Sequence, residues 1–450
     1  MRRLITRVPA PVRQVMAKLE DCGFPTYLVG GPVRDLLLGR APPDWDLATA
    51  ARPAEVLDLF SETRPTGLRY GTVTVLQGGQ AMEVTTFRTE GDYADRRRPN
   101  WVSFVPRVED DLARRDFTCN AMALDRHGSL VDPQGGTWDL CRGVLRAVGD
   151  AAGRFGEDPL RMLRAVRFTA QLELRLDPAT RAAIGANADD LRSVSTERVR
   201  DEVVKCLLSP RPAYAMEMFR RLKLLPHVLP ELAEGIGVPQ NEYHTCDVWE
   251  HSLLALENAP RDLVLRLAAL LHDVGKPRTL SVEGGHRHFF GHERVGAEMA
   301  RQALERLRFE RQTTEAVVRL VRDHMALHLR PEMREAAVRR LISQVGPENV
   351  PALLALRRAD RAAKRKPAPG VGPEPEDLAG EIERIMGEGT AVGLKDLAVD
   401  GHDVMAATGL ASGPEVGRIL NQLLDEILDD PRRNHRETLL ARAREIASRR

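Results

Sequence analysis

Two segments, GTVTVLQ (residues 71–77) and AMEVTTFR (81–88), alternate apolar and polar side chains with a period of two, the mark of a half-buried hairpin. That pattern confines the sheet to the front of the chain. An amphipathic helix near Pro11–Cys22, a strand TYLVGG, a helix Val33–Leu38, a strand DWDLAT and a helix Pro53–Phe60 complete a head that ends near Asp150. From Asp158 the apolar period becomes 3.6, and LRMLRAVRFTAQL, AAIGANADDL and RVRDEVVKCLL all read as helices. The expected fold class is α+β: an N-terminal mixed-sheet head followed by an all-helical remainder.

With 450 residues the chain exceeds the ~250–300 at which single cores stop growing, so several domains are expected. We place them at 1–150 (head), 151–240 (neck and body), 241–366 (a third helical unit) and 378–450 (tail). Residues 367–377, within KPAPGVGPEPED, have proline, glycine and charge without an apolar period and form the linker. Lys+Arg 66 nearly cancels Asp+Glu 65, so any nucleic-acid footprint must be local. One local cluster, Arg432, Arg433, Arg436, Arg442, Arg444, Arg449 and Arg450, fits an RNA contact or a solvated helix face equally well. The five cysteines form no CxxC pair, and no apolar run approaches the ~18–20 residues of a membrane span. A cytoplasmic chain is expected, with no membrane contact and no protein partner signalled.

The chemistry begins in LVGGPVRDLLLGRAPPDWDLAT. On an extended strand side chains two apart share a face, so Asp44 and Asp46 can converge on one or two Mg²⁺ ions, while the preceding glycines let backbone N–H groups approach phosphates. Glu83, on a neighbouring strand, can supply a third carboxylate or a cross-strand ion pair. In EDPLRMLRAVRF, Asp158, Arg161, Arg164 and Arg167 recur every third residue as a polar stripe beside Leu160, Leu163 and Val166. A carboxylate accepts from an exocyclic amino group and a guanidinium donates to ring acceptors, so Asp158 with Arg161 can hold cytosine or adenine by the Watson–Crick edge. Uracil and guanine present the wrong pattern.

These motifs, in order with TEGDYADRRRPNWVSFV, DLARRDFTCNAMALD, VDPQGGTWDLCRGVLRAVGD and STERVRDE, resemble the class II tRNA nucleotidyltransferase and poly(A) polymerase family. The resemblance implies untemplated addition of nucleotides to an RNA 3′ end, with tRNA, CTP and ATP as partners. It implies that Asp44 and Asp46 are catalytic Mg²⁺ ligands, that Gly31 and Arg34 bind the triphosphate, and that Arg115 reaches the phosphates or the ribose. Arg164 and Arg167 would brace the base-reading pair or touch phosphate, and Asp116 and Asn120 would fix a turn. The loop with Gly91, Tyr93, Asp95 and Arg96–Arg98 would help switch the pocket from CTP to ATP, or is a plain solvated loop. Glu197, Arg198 and Glu202 are structural in this pattern. Gly413-Pro414-Glu415-Val416-Gly417 opens a tail helix that either meets RNA phosphate or simply starts.

A second constellation, His251, His272, Asp273, His292, His324 and Asp360, stands in CDVWEHSLLAL, LLHDVGKPR, FFGHERVGA, VRDHMAL and RRADRAA. Imidazoles and carboxylates in this number suit a divalent transition metal. Their order resembles the HD phosphohydrolase superfamily, which implies a mono- or dinuclear site with phosphatase or 2′,3′-cyclic phosphodiesterase action on RNA ends. The expected function is CCA addition to tRNA with release of pyrophosphate. An A-adding enzyme or poly(A) polymerase is the alternative within the family, and an HD phosphohydrolase with an RNA-binding head the alternative outside it.

Overall fold

The computed structural model describes residues 2–91, 101–240, 246–326, 335–364, 377–387 and 392–449. Tyr93, Asp95, Arg96–Arg98 and nearly all of the linker lie outside these. The described chain divides into two units, Met1–Pro230 and Glu231–Arg450.

In the first unit a seven-stranded sheet runs in the spatial order Thr63–Gly67, Thr72–Gln77, Gln80–Thr86, Asp46–Thr49, Thr26–Val29, Ala123–Leu124, Leu130–Val131. Asp46–Thr49 and Gln80–Thr86 run parallel and the other pairs antiparallel, which makes the sheet mixed as expected. The period-two hairpin forms as read: Val73, Val75, Met82 and Val84 are buried while Ala81 and Glu83 face outward. Ala10–Asp21 buries Val12, Val15, Met16 and Leu19 at helical spacing.

Three local expectations need correction. The strand begins at Asp46, and Asp44 lies in the bend before it. The helix expected over Val33–Leu38 begins at Gly31, because Gly30 with φ +76° turns the chain there at no Cβ penalty. Asp158 is not on the helix with the three arginines. It is extended (φ −144°, ψ 99°) between Ala151–Glu157 and Leu160–Leu172, since the following Pro159 disfavours the helical region for its neighbour.

Leu160–Leu172 packs against Thr196–Leu207 and Pro212–Arg221. The remainder is not wholly helical. Val144–Leu145 pairs with Arg175–Leu176, and Ser281–Glu283 with His286–His288, strands too short to show a period. In the second unit, Val248–Asn258, Leu263–Leu271, His292–Arg306, Arg311–Asp323 and Val350–Ala363 pack together, and the tail helices close around Val404, Ile419, Leu423, Ile427 and Leu439. Arg339 docks Glu335–Val345 onto the tail by donating to the Leu428 carbonyl (2.8 Å) at the end of Pro414–Asp429. No helix among the described residues is long and apolar enough to cross a membrane.

Candidate functional sites

The parallel register sets Asp46 directly beside Glu83, on the outward side of the sheet. Glu83 makes no ion pair to a described residue, so the acids crowd one another. Burial, then the charges of Asp44 and Glu83, push the Asp46 carboxyl up to about 6, with Arg115 opposing. The glycine pair stands against two guanidinium groups. A Cβ on Gly30 would lie 2.6 Å from Arg115 Nη1, and one on Gly31 would lie 3.6 Å from Arg34 Nη2. Gly31, Arg34 and Arg115 are therefore brought together as the sequence suggests.

Each arginine is held from behind. Arg34 Nε donates to Asp35 (2.8 Å) and its Nη1 to Asn120 Oδ1 (2.7 Å). Arg115 Nη2 donates to Asp111 (3.2 Å), while its buried Nε has no acceptor. Asp111, fully buried, also takes Arg114 at 2.7 Å; despite burial, these two cations hold its carboxyl low. Asp116 accepts from the Phe117 amide (2.8 Å) and Asn120 Nδ2 (3.1 Å), the expected turn, and from Arg164 at 2.7 Å. Burial opposes its charge, but Arg164 and Asn120 keep the carboxyl at about 2.

Asp158 and Arg161, expected to read the base, are placed differently from the expected stripe. Asp158 takes both terminal nitrogens of Arg198 (3.2 and 2.6 Å), and Arg161 donates to Glu157 at 2.5 Å. Arg167 is paired with the buried Glu202 at 2.6 Å. Arg164 and Arg167 are thus held by Asp116 and Glu202, and Arg198 and Glu202 tie Thr196–Leu207 to Asp158 and to this helix. In the tail, Arg436 pairs with Asp403 and Arg442 with Glu426, so these two of the cluster's seven arginines are engaged within the tail itself.

In the second unit all six expected ligands converge. His251, His272 and Asp360 form one trio, and Asp273, His292 and His324 another, the ligand atoms of each within 4.8 Å of one another. Among the described residues no other groups meet that spacing, and the head acids are more widely spread. Asp273 spans both trios: its Oδ2 lies 3.1 Å from His272 Nε2 and its Oδ1 3.5 Å from His292 Nε2. His251 Nε2 is 2.9 Å from Asp360. The Nδ1 atoms of His272, His292 and His324 meet the carbonyls of Ala269 (2.8 Å), Phe289 (2.7 Å) and Val321 (2.6 Å).

Burial lowers His251, His292 and His324, the last to about 3, with neighbouring imidazoles adding to the effect there. His272 goes the other way: burial opposes its charge, but Asp273 and Asp360 raise it to about 10. Both aspartates are held well below the carboxylate range against their burial. Two buried anions among inward-turned imidazoles are a donor set made for a cation.

Sequence reasoning missed Lys276 and Gln240. Lys276 Nζ, buried, sits 2.6 Å from Asp273 Oδ2 and 2.6 Å from Gln240 Oε1. Its position three residues after Asp273 in HDVGK was the available signal. Gly275 admits the close crossing of the His292–Arg306 helix, since a Cβ there would come within 2.3 Å of the His292 carbonyl.

Models of three families match: the poly A polymerase head domain over residues 26–146, the probable RNA and SrmB-binding site of polymerase A over 173–236, and the HD domain over 241–364. A CCA-adding enzyme of Lactobacillus helveticus is 50% identical over 219 residues, 49% of this chain and 55% of that relative, so the match spans about half of the relative's length. The crystal structure of the Bacillus stearothermophilus CCA-adding enzyme in complex with CTP is similar over 98% of this chain and 97% of its own, with 30% identity and a TM-score of 0.74. The chain belongs to the CCA-adding enzyme family. A Thermotoga maritima member solved with tRNA shares the fold of this CCA-adding family chain at 20% identity, with a TM-score of 0.61 over 100% of this chain and 98% of its own. Membership accounts for the order of the head and neck motifs, and it implies dependence on a divalent metal.

Proposed function

We propose that the chain adds C, C and A to the 3′ end of tRNA from CTP and ATP, releasing pyrophosphate. The observation that carries this is the Asp46–Glu83 register beside Asp44, facing a glycine pair lined by Arg34 and Arg115. A carboxyl raised to about 6 by burial and then by its acidic neighbours invites a cation, and the buried, unpaired Nε of Arg115 invites a phosphate oxygen. Asp44 and Asp46, with Glu83 as a weaker third, would hold Mg²⁺. Bound there, the metal supplies positive charge to the attacking and leaving oxygens. The 3′-hydroxyl oxygen bonds to the α-phosphorus, the bond to the pyrophosphate breaks, and the hydroxyl proton passes to solvent. Arg34, Arg115 and the Gly31 amide orient the triphosphate for in-line attack.

Asp158 and Arg161 read the base. Because Arg198 and Glu157 already occupy them, the base edge joins an existing network. Asp158→Ala or Arg161→Ala is expected to reduce discrimination against UTP and GTP by about tenfold to a hundredfold while slowing transfer less, measured as ratios of kcat/KM. Unchanged discrimination would remove these residues from base choice. Incubation with tRNAs lacking the last three, two or one nucleotides, each with CTP or ATP, tests the activity. No C incorporation into the shortest substrate excludes full CCA addition, leaving A addition or poly(A) synthesis.

The paired trios favour a second activity, hydrolysis of phosphomonoesters or 2′,3′-cyclic phosphates on RNA ends at a site holding divalent transition metal. His251, His272 and Asp360 would hold one ion, and Asp273, His292 and His324 another. Five free cysteines fit a cytoplasmic location.

A further inference from the structure

We infer that Phe168 is a positioning residue for the incoming nucleotide: its ring, shared by three guanidinium groups, fixes where Arg34 and Arg164 stand. Phe168 is 4% exposed, and its ring lies 5.2 Å from Arg34 Cζ, 5.4 Å from Arg164 Cζ and 4.0 Å from Arg167 Cζ. Phe117 closes the ring edge-on at 5.7 Å and 81°. Each arginine has its own carboxylate, Asp35, Asp116 and Glu202 respectively. These anions pull the three cations toward separate anchors, and the ring is the element they share.

Arg34 comes from the Gly31–Leu37 helix and the other two arginines from Leu160–Leu172, so the ring joins the triphosphate side of the pocket to the helix that follows Asp158. With Nε and Nη1 spent on Asp35 and Asn120, Arg34 keeps Nη2 beside Gly31 for a phosphate oxygen. A π face fixes the plane of a guanidinium, which two hydrogen bonds at one edge do less well. Without it, Arg34 can pivot about those two bonds and take Nη2 off target.

This rests on the head being a nucleotide site, and equilibrium dialysis with CTP tests it without requiring transfer. Phe168→Leu is expected to weaken CTP and ATP binding about tenfold, and to raise both KM values equally, with kcat at saturation within about twofold. Phe168→Tyr keeps the face and should restore binding, and Phe168→Met serves as the ring-free variant if the leucine form does not fold. Unchanged CTP affinity in the folded ring-free variant, or a fall in kcat with KM unmoved, overturns the inference. Wild-type protein that binds CTP but incorporates none defeats the proposed transfer, while the dialysis comparison still decides the role of Phe168. No CTP binding by wild type would overturn both.

Discussion

Asp46→Asn is expected to abolish nucleotide incorporation, by at least about a thousandfold, and at the same time to stabilise the metal-free protein. The first effect follows from losing one of the two acids proposed to hold Mg²⁺. The second follows from the carboxyl's displacement to about 6 from an ordinary 3.8. A carboxyl raised in the folded state stabilises the fold when protonated. That contribution is complete below the unfolded value and lost as pH rises through about 6. At pH 7 the parent therefore carries an ionised carboxylate against Asp44 and Glu83, and the amide relieves it by on the order of 2 kcal/mol. Thermal melts in chelator should place Asp46→Asn above the parent at pH 7, with the gap closing below about pH 4 or when Mg²⁺ is added. A variant no more stable than its parent in chelator would mean that neither burial nor the charges of Asp44 and Glu83 raise the Asp46 carboxyl.

Asp273→Asn should empty both halves of the second centre. Its two oxygens face different trios, so removing its charge takes a ligand from His292 and His324 and an anion from His272. Metal content by plasma emission should fall from two ions per chain to well under one, whereas His324→Ala should lose about one. Nucleotide incorporation should persist in both variants, and RNA-end hydrolysis should vanish with Asp273→Asn. Retention of both ions would show that the trios do not share Asp273, and loss of incorporation would refute the separation of the two sites.

What was legible in the sequence was whatever repeats or sits close in the chain. The hairpin and the glycine pair before Asp46 emerged from spacing, and the six HD-type ligands from the order of motifs that resemble a known superfamily. The helix stripe through Asp158 failed because a single proline outweighs periodicity, and Asp44 slipped from the strand into the bend before it. Pairings between distant residues that no motif order announces could not be read at all. Nothing local says that Arg198 clamps Asp158 across 40 residues, or that Gln240 meets Lys276 across 36. Asp111 was hidden for another reason: although it opens the DLARRDFTCNAMALD segment, a lone acid there reads as surface until burial shows that it steers Arg114 and Arg115.

A ring nitrogen that faces a peptide oxygen carries its hydrogen there, so the Nδ1 tethers of His272, His292 and His324 fix which tautomer each neutral ring adopts. The lone pairs of their other nitrogens are thereby aimed at the ion before it arrives. Loading then needs no ring flip, only the departure of the extra proton that His272 keeps until a cation displaces it, so uptake should release acid and quicken in alkaline buffer.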